Sequence, residues 1–390
     1  MSIFKKKKSG GNYLSGKEIR AIAKENAKVM KELEAYKNRK CDESEYLTEM
    51  KGEENILEID NLHSYFFTEQ GVVKAVNGVS FDIPKNKTVG IVGESGCGKS
   101  VTSMSVMRLL QGPTGQIVSG EIRFHAKEKI FDIAKMPIRD IHKIRGSEIA
   151  MIFQEPMTSL NPIFTIGEQL DEVTFINKKG ASKEEAKAKS IEMLNLVGIA
   201  MPERVYGAYP HELSGGMRQR VMIAMALASD PRLIIADEPT TALDVTIQAQ
   251  ILELKMELRE KLGMAIIMIT HDLGVVASTC EKIAVMYAGN IVEYGTTDDI
   301  FYNPRHEYTK GLIKSIPRMD ATEHERLVPI EGTPVDMLNP PKGCKFASRC
   351  DSCMKICLNN MPPRTYFSDV HYTHCWLNQK AEFEGGASNE

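Results

Sequence analysis

The stretch Gly93-Glu94-Ser95-Gly96-Cys97-Gly98-Lys99-Ser100 constrains this chain more than any other, because G-x-x-x-x-G-K-[ST] works in one structural setting. That setting is a buried strand ending in a tight loop that opens a helix. The run Thr88–Val92 ahead of it is apolar and β-branched, and a helix-forming stretch begins at Lys99. Physically the loop is an anion cradle: glycines let consecutive backbone N–H groups turn inward, and the helix N-terminus adds partial positive charge. Lys99 is placed to reach the outer phosphates of a nucleotide and Ser100 to hold Mg²⁺, with Val101 counted in the same nucleotide-binding set. Cys97 reads as a small residue that fits the loop, not as a reactive thiol.

The surroundings supply the rest of an α/β fold. Leu57–Ile59 and Val79–Ile83 alternate as strands, the latter stopping at Pro84. Leu233–Ala236 and Ala265–Thr270 are short continuous apolar runs, the pattern of strands covered on both faces in a parallel sheet. Between them Val245–Lys261 reads as a helix with Asp244 as its cap, and Ser182–Leu196 as another helix. Strand–helix alternation of this kind indicates α/β.

Two further stretches carry chemistry. Leu233–Ala236 delivers Asp237 and Glu238 at its end, and adjacent strand residues point oppositely, so the two can take different roles. Asp237 suits the metal; Glu238 suits an attacking water, as base or orienting group. Leu213-Ser214-Gly215-Gly216-Met217 opens an apolar helix through Ala228 and forms a second phosphate-binding N-terminus. One nucleotide rarely needs two cradles, so the second is read as serving the nucleotide of another protomer.

Composition narrows the class. Among 390 residues, 49 Lys/Arg against 52 Asp/Glu leave a net charge of −3, without the basic surplus of a nucleic-acid binder. No apolar run approaches the ~20 residues of a membrane span, and no apolar segment follows the N-terminal lysines as in a secretory signal. Eight cysteines in a chain this long do not make a disulfide scaffold, and a reducing compartment is expected.

Together these residues resemble the ATP-binding subunit of an ATP-binding-cassette (ABC) importer of the oligopeptide/dipeptide class, from about Leu57 to Trp376. Gly93–Ser100 is similar to Walker A, Gln154 to the Q-loop residue, Leu213–Met217 to the signature, Asp237-Glu238 to Walker B, Ala242-Leu243-Asp244 to the D-loop, and His271 to the switch histidine. The stretches Ile152–Pro162, Leu213–Arg220 and Pro304–Thr309 resemble the peptide-type branch, and Arg145-Gly146 one of its two ATPase halves. The resemblance implies an α/β P-loop NTPase (RecA-like) with a helical subdomain at about 155–228. It implies ATP and Mg²⁺ as ligands, with Ser100, Gln154 and Asp237 toward the metal. Glu238, His271 and Gln154 are the implied catalytic set, Asp244 lies across a dimer interface, and Phe66 (or Phe67) stacks on adenine. Implied partners are a second ATPase subunit, identical or related, two transmembrane permeases, and indirectly an extracytoplasmic binding protein. The expected location is the cytoplasmic face of the membrane. A nickel-complex importer, or a soluble cassette acting on nucleic acid or ribosomes, is the alternative; the latter usually shows tandem cassettes or long coiled-coil inserts.

The ends differ from the middle. Residues 1–54 form a basic extension, with 12 Lys/Arg and 4 Asp/Glu in the first forty positions and a helical stripe at Ile22, Val29 and Tyr36. It reads as a solvated helix or as a surface for anionic lipid or a partner. Residues 55–316 are the nucleotide-binding domain. Residues 317–390 form a small cysteine-rich appendage, where Cys344, Cys350, Cys357 and Cys375 are spaced C-x5-C-x6-C-x17-C. Four thiolates suit a 4Fe–4S cluster, and the resemblance points the same way. Zinc competes, because Cys350–Cys353 is a C-x-x-C and His371 and His374 lie near Cys375. Cys41 and Cys280 are isolated and read as structural.

Overall fold

Runs that are apolar at every position fold here as strands covered on both faces. The computed structural model describes residues 15–153, 159–238, 245–316 and 329–379. Its strands are β1 (Asn55–Thr68), β2 (Gly71–Pro84), β3 (Thr88–Val92), β4 (Gly115–His125), β5 (Ile130–Asp132), β6 (Ile149–Ile152), β7 (Leu233–Asp237), β8 (Ala265–Ile269), β9 (Lys282–Tyr287), β10 (Asn290–Thr296), β11 (Thr365–Tyr366) and β12 (Tyr372–Thr373). They form a four-stranded antiparallel sheet, β2-β1-β4-β5, and an eight-stranded sheet, β11-β12-β10-β9-β3-β8-β7-β6. In the larger sheet β9, β3, β8, β7 and β6 run parallel and β10–β12 antiparallel.

Side-chain alternation divides the molecule into two cores. Val89, Ile91, Leu233, Ile235, Ala265, Ile267 and Ile269 face the antiparallel sheet and pack with Leu57, Ile59, Ile83 and Phe124. Val92, Ile234, Ala236, Ile266 and Met268 face the other way and pack with Leu170, Leu194, Val221 and Leu227. A one-residue slip of any central strand would exchange these two sets.

The second core is roofed by helices Ile166–Asn177, Lys183–Leu196, Pro202–Tyr206 and Gly215–Leu227. Thr165 with Glu168, and Ser182 with Glu185, form capping boxes that start the first two. Asp171 ties three of the four together, accepting from Ser190 Oγ and Tyr206 Oη, each at 2.6 Å.

Helix Gly16–Lys37 starts in a capping box of Ser15 and Glu18. It lies against the antiparallel sheet: buried Asn26 donates to the Thr68 carbonyl at 2.8 Å, and Gln116 donates to Glu34 at 2.6 Å. Tyr46, 1% exposed, enters the core between the sheets. At the other end, β12 pairs with β10 and so joins residues 365–373 to the sheet that carries the phosphate loop.

Candidate functional site

Buried strand β3 ends at the loop, and the loop's backbone follows what its glycines allow. Gly93, Gly96 and Gly98 have φ of +148°, +76° and +106°. At Gly93 a Cβ would stand 2.2 Å from the Met286 carbonyl oxygen, and at Gly98 2.2 Å from that of Ala75. Only glycine fits either position. Lys99 is 5% exposed; its ammonium turns back and donates to the carbonyls of Gly93 (2.7 Å) and Glu94 (3.1 Å). Cys97 is buried, and burial pushes its thiol pKa up, which fits a packing residue.

Helix Lys99–Val106 and β7 meet where Ser100 Oγ donates to Asp237 Oδ1 at 3.1 Å. Burial pushes the Asp237 carboxyl pKa up, against the pull of that hydroxyl. A buried carboxylate beside a hydroxyl at a phosphate cradle is the donor set a hard divalent cation takes. Glu238 turns out of β7 with φ +43°, a strained value for a residue with a side chain, and its N–H donates to the Ile269 carbonyl at 2.8 Å. Its Oε1 stands 3.4 Å from His271 Nδ1 at the end of β8. Metal-side and water-side groups thus sit at the carboxyl ends of β3, β7 and β8, where parallel sheets place their ligands.

Ser214 is the N-cap of helix Gly215–Leu227, its hydroxyl accepting from the Met217 N–H at 3.4 Å. Ser214 and Gly215 are exposed, Gly216 and Met217 half-buried, and Leu213 is packed in the core. Gln154 and Asp244, with the rest of the expected Q-loop and D-loop, lie outside the described residues. Phe66 is half-buried with its ring against Gly115, while Phe67 is buried.

Sequence reasoning missed what holds the loop from behind. The Tyr308 hydroxyl accepts the Glu94 N–H at 2.8 Å, and Arg349 makes a two-pronged pair with the Glu94 carboxylate at 2.6 and 2.9 Å. An acid inside an anion cradle calls for a cation, but nothing in its spacing says that the cation stands 255 residues away.

Among the described residues no group of three or more His, Cys, Asp or Glu side chains is placed to hold a metal ion. Of the histidines considered for zinc, His371 is held between Glu293 (3.0 Å) and Asp299 (3.6 Å), and His374 Nδ1 faces the Pro362 carbonyl at 3.2 Å. The 4Fe–4S expectation at Cys344, Cys350, Cys357 and Cys375 therefore finds no support from a formed metal site.

Comparison with known proteins agrees with the loop geometry. A family model, "ABC transporter", matches residues 76–241, and a second, "Oligopeptide/dipeptide transporter, C-terminal region", matches residues 292–357. The oligopeptide transport ATP-binding protein OppD of Bacillus subtilis is 53% identical over 83% of this chain and 88% of its own length. The dipeptide transport ATP-binding protein DppD of the same organism is 52% identical over 84% and 97%. This chain belongs to the ABC transporter ATPases, in their oligopeptide/dipeptide branch. Among solved structures, a dimeric ATP-binding cassette in a post-hydrolysis state bound to ADP and Pi matches at TM-score 0.54 and 28% identity, over 62% of this chain and 98% of its own. The cassette is thus an ATPase fold with ATP as its nucleotide. On its flank an apolar cleft of about 370 Å³ is lined by Met107, Met151, Phe153, Met222 and Met225, with Arg145 at its edge.

Proposed function

We propose that this ABC ATPase drives the import of oligopeptides or dipeptides as one of two cassettes closing head to tail on ATP. The observation that carries the reading is the convergence of Ser100 with Asp237, and of Glu238 with His271, beside the Lys99 loop. In this reading the Lys99 ammonium exchanges the Gly93 and Glu94 carbonyls for phosphate oxygens. Ser100 and Asp237, with Gln154, hold Mg²⁺, which supplies charge neutralisation at the phosphates. The Glu238 carboxylate orients a water and takes its proton, and His271 holds that carboxylate and the terminal phosphate. Ser214 and its following N–H groups close over the partner's triphosphate, with Asp244 crossing the same interface. Phe66 (or Phe67) stacks on adenine. Catalysis is then mostly positioning and charge.

The names of the relatives support peptides over a nickel complex as cargo. No helix among the described residues is long and apolar enough to cross a membrane; in this reading two separate permeases form the route for cargo. The methionine-lined cleft suits a short amphipathic permease helix, since methionine adapts to irregular apolar surfaces. The cassette then sits peripherally on the cytoplasmic face, and an extracytoplasmic binding protein reaches it only through the permeases.

The finer reading of the C-terminal cysteines is a 4Fe–4S cluster. Burial, with a smaller push from neighbouring thiols, raises Cys344 to about 11 and Cys350 to about 12, so iron would have to displace these thiol protons as the cluster forms. A four-iron cluster spaces its thiolates wider than a zinc ion does. Iron and zinc analysis after anaerobic purification tests it; stoichiometric zinc in colourless protein would end it.

Glu238→Gln tests the main reading. ATP binding is expected to persist and hydrolysis to fall by roughly 10²–10⁴-fold. Near wild-type turnover would show that another group handles the water.

A further inference from the structure

Glu94 is an acidic residue inside a loop shaped for a polyanion, and its carbonyl lies 3.1 Å from the Lys99 ammonium. An uncompensated carboxylate there would repel the phosphates the loop is built to receive. The compensating charge comes from Arg349, whose side chain is 3% exposed. Its guanidinium is fully committed: two prongs to Glu94 at 2.6 and 2.9 Å, and further bonds to the carbonyls of Ile330 (3.0 Å) and Glu331 (2.9 Å) and to Tyr287 Oη (3.3 Å). The planar fork is the geometry in which arginine recognises a carboxylate and lysine does not.

The backbone that carries Arg349 is equally fixed. It lies in the short turn from Cys344 to Cys350, where Ala347 N–H donates to the Cys344 carbonyl at 3.1 Å and Arg349 N–H to that of Phe346 at 2.9 Å. Phe346 packs on Tyr287 and Tyr308, both centroids at 5.3 Å, and Tyr308 is the residue that takes the Glu94 N–H. Side chain, amide and carbonyl of Glu94 are therefore each bound, two of the three by residues beyond the parallel sheet.

We infer that Arg349 is a positioning residue of the nucleotide site, neutralising Glu94 and setting the phosphate loop, so that the C-terminal region fixes the affinity for MgATP. The inference rests on the phosphate-loop reading of residues 93–100 above. The test is equilibrium MgATP binding to the full chain, with thermal unfolding recorded for each variant. Arg349→Ala is expected to weaken binding roughly tenfold, the effect of one uncompensated charge near the phosphates. Adding Glu94→Gln, which removes that charge, is expected to restore binding to within about twofold. Arg349→Gln keeps more of the packing and carries the same expectation if the alanine variant does not fold. Wild-type affinity in Arg349→Ala or Arg349→Gln overturns the inference. So does a lowered unfolding temperature with weakened binding that Glu94→Gln leaves unrestored, the result of a purely structural strut. Lys99→Ala separates the two readings: loss of binding there keeps the phosphate-loop assignment standing whatever Arg349 does, whereas normal binding overturns both.

Discussion

Gly98 shows how little room single residues have at this site. Its φ of +106° and the Ala75 oxygen 2.2 Å from any added Cβ leave no relaxed conformation for alanine. Gly98→Ala is expected to lose measurable MgATP binding and about 1–3 kcal/mol of stability, read by calorimetric titration and denaturant unfolding. The need for glycine at 93 and 98 was legible in the motif. The atoms that enforce it were not, because Met286 and Ala75 arrive from two other strands, β9 and β2. Glu238 was legible as a carboxylate at a strand end, but its left-handed backbone was not. That turn exists because its N–H reaches across to the Ile269 carbonyl on the neighbouring strand.

At the scale of elements, Ser214 caps the helix from Gly215 to Leu227, and the proposed function gives the same residue a second, separable duty. Ser214→Ala removes the acceptor for the Met217 N–H and should cost about 1 kcal/mol in unfolding experiments. Ser214→Asp preserves the cap and should leave stability within about 0.5 kcal/mol. Under the proposed head-to-tail closure the same aspartate would face phosphate, and hydrolysis in the assembled transporter should fall at least tenfold by a coupled phosphate-release assay. Wild-type turnover in Ser214→Asp would place the phosphate contact elsewhere. The short strands β3, β7 and β8 were readable because, apart from Thr88 at the start of β3 and Asp237 at the end of β7, their residues are apolar or glycine and each is followed in sequence by a helix. The long antiparallel pair β1–β2 was readable only at its ends. Its register shifts between Ile59 and Leu62, where Asn61 takes φ +47°, and the bulge breaks the two-residue period. The N-terminal helix was visible as a stripe, but its anchorage was not, since the buried residue is polar Asn26, satisfied by a carbonyl of β1.

Across the whole molecule, acid should act through His306. It is 2% exposed, caps helix Glu307–Lys314 through Nδ1, and burial pushes its pKa down to about 4. An unfolded histidine titrates near 6.5, so below that pH the unfolded chain binds the proton first. Stability is therefore complete at neutral pH and is lost progressively as pH falls from about 6.5 toward 4. The loss should reach about 2 kcal/mol by pH 5, measured by urea unfolding at pH 7 and pH 5. His306→Asn retains a capping oxygen and should flatten that dependence; an unchanged slope would assign the acid sensitivity to other groups.

The same region sets a condition on how the molecule is made. Glu293 in β10 is fully buried and is matched by His371, 78 residues further on. A nascent chain that has emerged only through β10 holds a carboxylate destined for the interior with its counterpart still inside the ribosome. The ATP-handling sheet can therefore lock fully only late in synthesis, and fragments stopped short of β12 present an open strand edge and an acid held by the Arg305 and His306 amides but lacking its His371 contact, a ready target for quality-control proteases.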